Sequence, residues 1–189
     1  MWLWHTILGD NMTTTSEHNK ALIVEASAVM NVALMGKRLA IVGGFPRDVL
    51  ARRDAKDIDI MVLDCTNSTV VEIYEALCEQ HGALSVMINT EAEYTGSTED
   101  PDSTLIAVIQ YGNVDILCHS TGDAREVLRQ FDCNINQFIF HNNGAIVFGG
   151  DHAPDQAGLV WRKYDSLVTA KPERCSRMKD IYAEMEQYL

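Results

Sequence analysis

Two carboxylates stand two residues apart in Lys56-Asp57-Ile58-Asp59-Ile60. Side chains on an extended strand alternate between faces, so Asp57 and Asp59 project from one face while Ile58 and Ile60 point into a core. Adjacent carboxylates repel unless a proton or a cation lies between them. Hard oxygen donors of this kind suit Mg²⁺ or Mn²⁺. A third acid, Asp115, sits in the otherwise apolar run Val114-Asp115-Ile116-Leu117. Three acids on neighbouring strands would hold two divalent ions about 4 Å apart, the clamp that supports in-line phosphoryl transfer. Taken alone, such a pair is more often two solvated residues opening a strand than a metal site.

Gly43-Gly44 follows the apolar run Leu39-Ala40-Ile41-Val42, where a strand gives way to a helix. Without Cβ atoms the backbone admits a ligand closely, and N–H groups at a turn and helix start favour phosphate. Arg47, in the first helical turn, would add a bidentate phosphate contact. A tight turn with positive φ explains the same two glycines without any ligand. Neither the P-loop pattern Gly-x-x-x-x-Gly-Lys-Ser/Thr nor the dinucleotide pattern Gly-x-Gly-x-x-Gly occurs.

The elements that must carry these residues follow from periodicity. Apolar positions from Leu22 to Leu34 recur at helical spacing behind Ser16 as N-cap, predicting a helix over 16–36. Strands are predicted at 39–42 and 58–63, with a short helix from Arg47 between them. Thr69-Val70-Val71-Glu72 has capping-box spacing and predicts a helix to Gln80, closed by Gly82. Leu84–Ile88 reads as a strand, and the acidic stretch 91–104 as an exposed mobile loop. Tyr111-Gly112-Asn113 between apolar runs predicts a hairpin of 105–110 with 114–118. A helix is expected over 123–131, a β-like pair at 138–140 and 145–148 around Asn142-Asn143-Gly144, and an amphipathic helix from Pro172. Strands and helices mixed in this order make an α/β or α+β domain.

The 189 residues are 47% hydrophobic and 22% charged, the composition of a globular chain able to build its own core. Its formal net charge of −12 excludes a broad phosphate-tracking groove, leaving room for a small basic site. The five scattered cysteines form no Cys-x-x-Cys and read as free thiols of a reducing cytosol. The histidines show no metal-ligand spacing. Met1–Leu8 lacks the basic flank and cleavage pattern of a signal peptide, and no apolar run has membrane-spanning length, so a cytoplasmic protein with no membrane association is expected. Trp2, Trp4, Ile7 and Leu8 are expected to pack on the domain, with a homodimer contact as the second choice.

Together the motifs are more specific than apart. Gly-Gly-x-x-Arg-Asp-x-Leu-x-x-Arg-x-x-x-Asp-x-Asp is met without a gap at Gly43, Gly44, Arg47, Asp48, Leu50, Arg53, Asp57 and Asp59. This resembles the head of the class II tRNA nucleotidyltransferases (CCA-adding enzymes) and bacterial poly(A) polymerases, within the polymerase-β nucleotidyltransferase superfamily. Asp132-Cys133-Asn134-Ile135-Asn136 is similar to the family's Arg-Arg-Asp-Phe-Thr-Ile-Asn segment, with Gln130-Phe131 standing where the family has Arg-Arg. Ile146–Gly150 with Asp155 and Leu159 resembles a later Gly-Gly…Asp-Leu stretch. Pro172–Lys179, with Arg174, Arg177 and Lys179, resembles the start of the family's neck helix.

The resemblance spans about residues 38–183 and implies a polymerase-β-like fold with a mixed central sheet and flanking helices. It divides the chain into an N-terminal extension (1–15), a head (16–170) and a neck-like helix (171–189). Asp57, Asp59 and Asp115 would be the catalytic, metal-binding acids for Mg²⁺ or Mn²⁺, with Asp115 helping to activate the attacking hydroxyl. Gly43, Gly44 and Arg47 would position the triphosphate, and Asp132 and Asn136 would lie near the sugar. Asp48 and Arg53 are expected to brace the helix and loop through an ion pair. The implied activity moves a nucleoside monophosphate from an NTP to an acceptor hydroxyl on an RNA end or a protein. A nucleotidyltransferase-like binding protein acting on a partner macromolecule is the alternative. The family's longer neck, body and tail have no counterpart in the sequence, so ordinary CCA addition by this chain alone is not expected.

Overall fold

The Ser16 side chain accepts a hydrogen bond from the Asn19 N–H and starts α1 (Glu17–Ala33), as its spacing predicts. Leu22, Ile23, Ala26, Val29, Met30 and Ala33 form the buried stripe of this helix. In the computed structural model the described residues are 16–89, 103–141, 145–161 and 172–187. The expectations for the aromatic N-terminal segment, for most of the acidic 91–104 stretch and for the Asn142-Asn143-Gly144 turn fall outside them.

After α1 the chain runs through β1 (Leu39–Val42), α2 (Gly44–Leu50), β2 (Ile58–Val62) and α3 (Asn67–His81). A single 3₁₀ turn precedes β3 (Val86–Asn89), and β4 (Leu105–Tyr111) and β5 (Val114–His119) form the predicted hairpin. Then come α4 (Ala124–Leu128), a 3₁₀ turn at Asn134–Asn136, β6 (Phe138–Phe140), β7 (Ile146–Phe148), α5 (Pro154–Ala157) and α6 (Pro172–Met185). The seven strands make one mixed sheet in the order β3-β4-β5-β2-β1-β6-β7. Its neighbours are antiparallel except for the parallel pair β2 and β5. The protein is thus a mixed α/β fold with flanking helices, as expected.

Alternation of side chains gives the sheet two different faces. Ile58, Ile60 and Val62 of β2 and Val114, Ile116 and Cys118 of β5 share one apolar cluster with the buried stripes of α1 and α3. On the opposite face Val42, Met61 and Leu63 pack against Val127 and Leu128 of α4. A third cluster lies beneath α6, where Met178, Ile181 and Met185 bury against Ala51, Cys133, Ile135 and Phe138. No helix among the described residues is long and apolar enough to cross a membrane.

Several boundaries differ from expectation, each for a local reason. The cap of α3 is Thr66, whose hydroxyl accepts the Thr69 N–H, so the helix starts before the Thr69 box. Gly82, with φ 85°, closes it, and Ser85 N–H donating to Gly82 O takes one more turn before β3 begins at Val86 rather than Leu84. The helix expected to reach Phe131 stops at Leu128, because Gln130 and Phe131 donate three residues back and tighten the last turn.

His119 closes β5 fully buried, with Nδ1 sharing a hydrogen bond with the Thr104 hydroxyl at 2.9 Å. Its Nε2 has no hydrogen-bond partner among the described residues. Burial therefore pushes the imidazole down to about 4 from an ordinary value near 6.5. The depressed folded value means that the stabilisation is complete above pH 6.5 and is lost as pH falls towards 4. This loss should reach up to about 3 kcal/mol. In His119→Gln, chemical denaturation across pH 7 to 4 should show that component gone. Parallel curves for the two proteins would refute it.

Candidate active site

The parallel register of β2 and β5 sets Asp59 directly beside Asp115. Both belong to the sheet face opposite α1 and α3, because their neighbours Ile58, Ile60, Val114 and Ile116 fill the helix-covered core. Asp57 lies one residue ahead of β2, with its Oδ2 3.0 Å from the Lys56 ammonium. A residue absent from the sequence reading joins the row. Gln110 on β4 stands opposite Asp115 and donates from Nε2 to Asp115 Oδ1 at 2.9 Å, while Asn89 donates to Gln110 Oε1 at 2.8 Å. The hairpin itself held that signal: closing it at Gly112-Asn113 pairs Tyr111 with Val114 and hence Gln110 with Asp115.

Across the sheet in the other direction Asp59 pairs with Val42, which leads into the glycine turn. Gly43 adopts φ 74° and ψ −131°, and a Cβ placed there would collide with Asp59 Oδ2 and approach the Phe131 ring at 3.4 Å. Glycine is needed at 43 both for its backbone conformation and for the acid beside it. Burial first, then the charges of Asp57 and Asp115, push the Asp59 carboxyl up to about 7, with the Gly44 N–H and Arg47 pulling weakly the other way.

The structure alters the expected parts of three charged residues. Arg47 does not face outward as a ready phosphate fork. It is 5% exposed, and its Nε and Nη2 each donate to Asp48 at 2.8 Å. Its Nη1 donates to Asn136 Oδ1 and lies 3.6 Å from Met178 Sδ of α6. An arginine buried under a helix must satisfy its donors internally, and the adjacent aspartate and the facing asparagine do so. Asp48 therefore pairs with Arg47 rather than Arg53. Arg53 instead reaches Glu184 of α6 at 3.2 Å.

Asp132 and Asn136 do meet. Asn136 Nδ2 donates to Asp132 Oδ1 at 2.7 Å, and Arg174 Nε of α6 donates to Asp132 Oδ2 at 2.6 Å. Burial opposes the charged form of Asp132, but the hydrogen bond and charge of Arg174, with Asn136 and Cys133, outweigh it and hold the carboxyl below its ordinary range. Gln130 bonds Thr104, and Arg129 forms a two-pronged pair with Asp151.

Among the described residues no three His, Cys, Asp or Glu side chains form a ready-made metal cage. That donor set still fits Mg²⁺ or Mn²⁺. Mg²⁺ commonly takes one or two carboxylates and completes its shell with water and substrate phosphates. Asp59 and Asp115, side by side with Asp57 close by, concentrate negative charge that a divalent cation would relieve.

No protein-family model and no curated protein matches this chain. Some solved structures do. A tRNA-processing enzyme in an apo form is 22% identical over 71% of this chain and 33% of its own, with a TM-score of 0.43. A tRNA-processing enzyme complex is 22% identical over 63% and 31%, at 0.40. A tRNA nucleotidyltransferase complexed with a primer tRNA and an incoming ATP analog is 22% identical over 64% and 34%, at 0.41. The chain spans about a third of the length of these proteins. Likeness at this level assigns no activity.

Proposed function

We propose that this protein is a metal-dependent nucleotidyltransferase, moving a nucleoside monophosphate from an NTP to an acceptor hydroxyl with release of pyrophosphate. One observation carries the reading: Asp59 and Asp115 adjoin on parallel strands beside the Gly43-Gly44 turn, with Asp57 charge-coupled to Asp59. Mg²⁺ or Mn²⁺, when bound, would neutralise the triphosphate and stabilise charge developing on its oxygens. Asp57, Asp59 and Asp115 would hold it. Gly43 and Gly44 leave room for the phosphates to approach the backbone, and Asp115 accepts the proton of the attacking hydroxyl. Asp132 and Asn136 lie near the nucleotide sugar, with Asn136 buried and its amide engaged at both ends. Arg47, committed to Asp48 and Asn136, shapes the turn from beneath instead of touching phosphate.

The test is transfer of label from each radiolabelled NTP in the presence of total RNA or total cell protein, with Mg²⁺ or EDTA. Label in RNA or in protein identifies the acceptor. Transfer that persists undiminished in EDTA, or no transfer with any nucleotide, sinks the reading. One observation favours the binding-protein alternative: the apolar Phe131 ring sits beside Gly43, where the resembled family carries an arginine. That alternative predicts nucleotide or partner binding without transfer.

The acceptor also has an electrostatic constraint. Holding an intact tRNA takes many phosphate contacts. The net charge is −12, and Lys56, Arg53 and Arg174 are paired with Asp57, Glu184 and Asp132. Intact tRNA should therefore bind no tighter than about 10⁻⁵ M at physiological salt, within the non-specific range. A nanomolar complex in an anisotropy titration at that salt would contradict this.

A further inference from the structure

Five side chains form an unbroken polar chain from the interior to the surface. Asp48 takes two hydrogen bonds from Arg47, and Arg47 donates to Asn136. Asn136 donates to Asp132, and Asp132 accepts from Arg174. The chain joins three elements that are distant in sequence: α2 behind the glycine turn, the 3₁₀ turn at Asn134–Asn136, and the first turn of α6. Its buried end lies against the glycine turn, since a Cβ on Gly44 would meet Arg47 Nη2 at 3.4 Å and one on the adjoining Gly43 would collide with Asp59 Oδ2. Arg174 is half exposed and makes the outermost link.

We propose that Arg174 is a positioning residue, which holds Asp132 and Asn136 in the geometry that receives the nucleotide. This rests on the nucleotidyltransferase reading above. Arg174 hydrogen-bonds Asp132 and feels Asp59 only through its charge. It acts by orientation. The Asn136 amide has its oxygen on Arg47 and its nitrogen on Asp132, so its flip state is fixed from both sides. Asp132 is aimed by donors on both oxygens, Asn136 and the Cys133 thiol on Oδ1 and Arg174 on Oδ2. Releasing Arg174 frees one carboxylate oxygen and leaves only Asn136 and the weakly donating Cys133 thiol to orient the group. The bond to the Arg174 guanidinium is the strongest of the three restraints.

A second ion pair on the same helix supplies the control. Glu184, near the other end of α6, pairs with Arg53 at similar exposure and holds the helix down without touching Asp132. The experiment is isothermal titration of each NTP in Mg²⁺ into four full-length proteins: the natural sequence, Arg174→Met, Arg174→Lys and Glu184→Gln. Thermal melts run alongside. Nucleotide affinity should fall on the order of tenfold in Arg174→Met. Arg174→Lys should recover part of it, Glu184→Gln should bind as the natural protein does, and the melts should change little because both pairs are exposed. Unchanged affinity in Arg174→Met would overturn the proposal while leaving the nucleotide reading in place. Equal losses in Arg174→Met and Glu184→Gln would also overturn it, since both variants would then only loosen α6. Absence of Mg²⁺-dependent binding in the natural protein would remove the nucleotide reading, and this inference with it.

Discussion

Asp59→Asn should lose nucleotide transfer by roughly 10²–10⁴-fold, the range expected when several kcal/mol of charge stabilisation disappear. At the same time it should gain stability in metal-free buffer. The folded protein raises the Asp59 carboxyl to about 7, through burial and the charges of Asp57 and Asp115, so it binds a proton that the unfolded chain releases near pH 4. With a raised folded value, the stabilisation is complete below the unfolded value and is lost as pH rises through 7. Asparagine carries no such penalty. Denaturation in EDTA should show the two proteins converging at low pH and diverging above it, to at most about 4 kcal/mol in favour of the variant at pH 8. Added Mg²⁺ should close that gap by stabilising only the natural protein. Superimposed pH curves in EDTA would show that the Asp59 carboxyl is not raised, and transfer at the natural rate, or no effect of Mg²⁺ on the gap, would show that it holds no cation.

Gly43→Ala is the second substitution with a large expected effect, and it acts through two separable causes. The backbone at φ 74° and ψ −131° disfavours any L side chain, and the new methyl collides with Asp59 Oδ2. Together these should cost about 2–4 kcal/mol and displace the carboxylate, removing nucleotide binding as well. Gly36 separates the two. It also has positive φ, at 79°, but faces open space, so Gly36→Ala should cost only the backbone strain, about 1–2 kcal/mol. Adding Asp59→Ala to Gly43→Ala should recover the collision part and leave the strain. Simple additivity of the two changes in a double-mutant cycle would show that the methyl does not press on Asp59.

Local pattern carried the sequence reading where the cause was itself local. Ser16 caps α1 as its spacing predicts, and Gly112-Asn113 turns the hairpin. Asp59 and Asp115 were legible as acids interrupting apolar strands, although no pattern in one strand tells which strand lies beside it. Their adjacency depends on β5 pairing in parallel with β2, a long-range choice. Arg47 was misread for a similar reason. Its spacing from Gly44 suits a phosphate contact, but α6, remote in sequence, covers it and its charge turns inward to Asp48. Asp48, its next-door neighbour, hid the answer because an ion pair between adjacent residues leaves no periodic trace. The cap at Thr66 was missed because Thr69-Val70-Val71-Glu72 offers the same box spacing three residues later.

The lone parallel pairing in the sheet also governs when the carboxylates meet during folding. All of α3, β3 and β4 lies between β2 and β5 along the chain. The β4–β5 hairpin is local and forms within microseconds, whereas its docking against β2 must first close that long loop. Gln110 is therefore expected beside Asp115 early, with Asp59 joining only once that loop has closed. A chain with only the hairpin formed would hold half of the acid row and no complete site, so regained transfer after dilution from denaturant would follow the docking of β5 against β2.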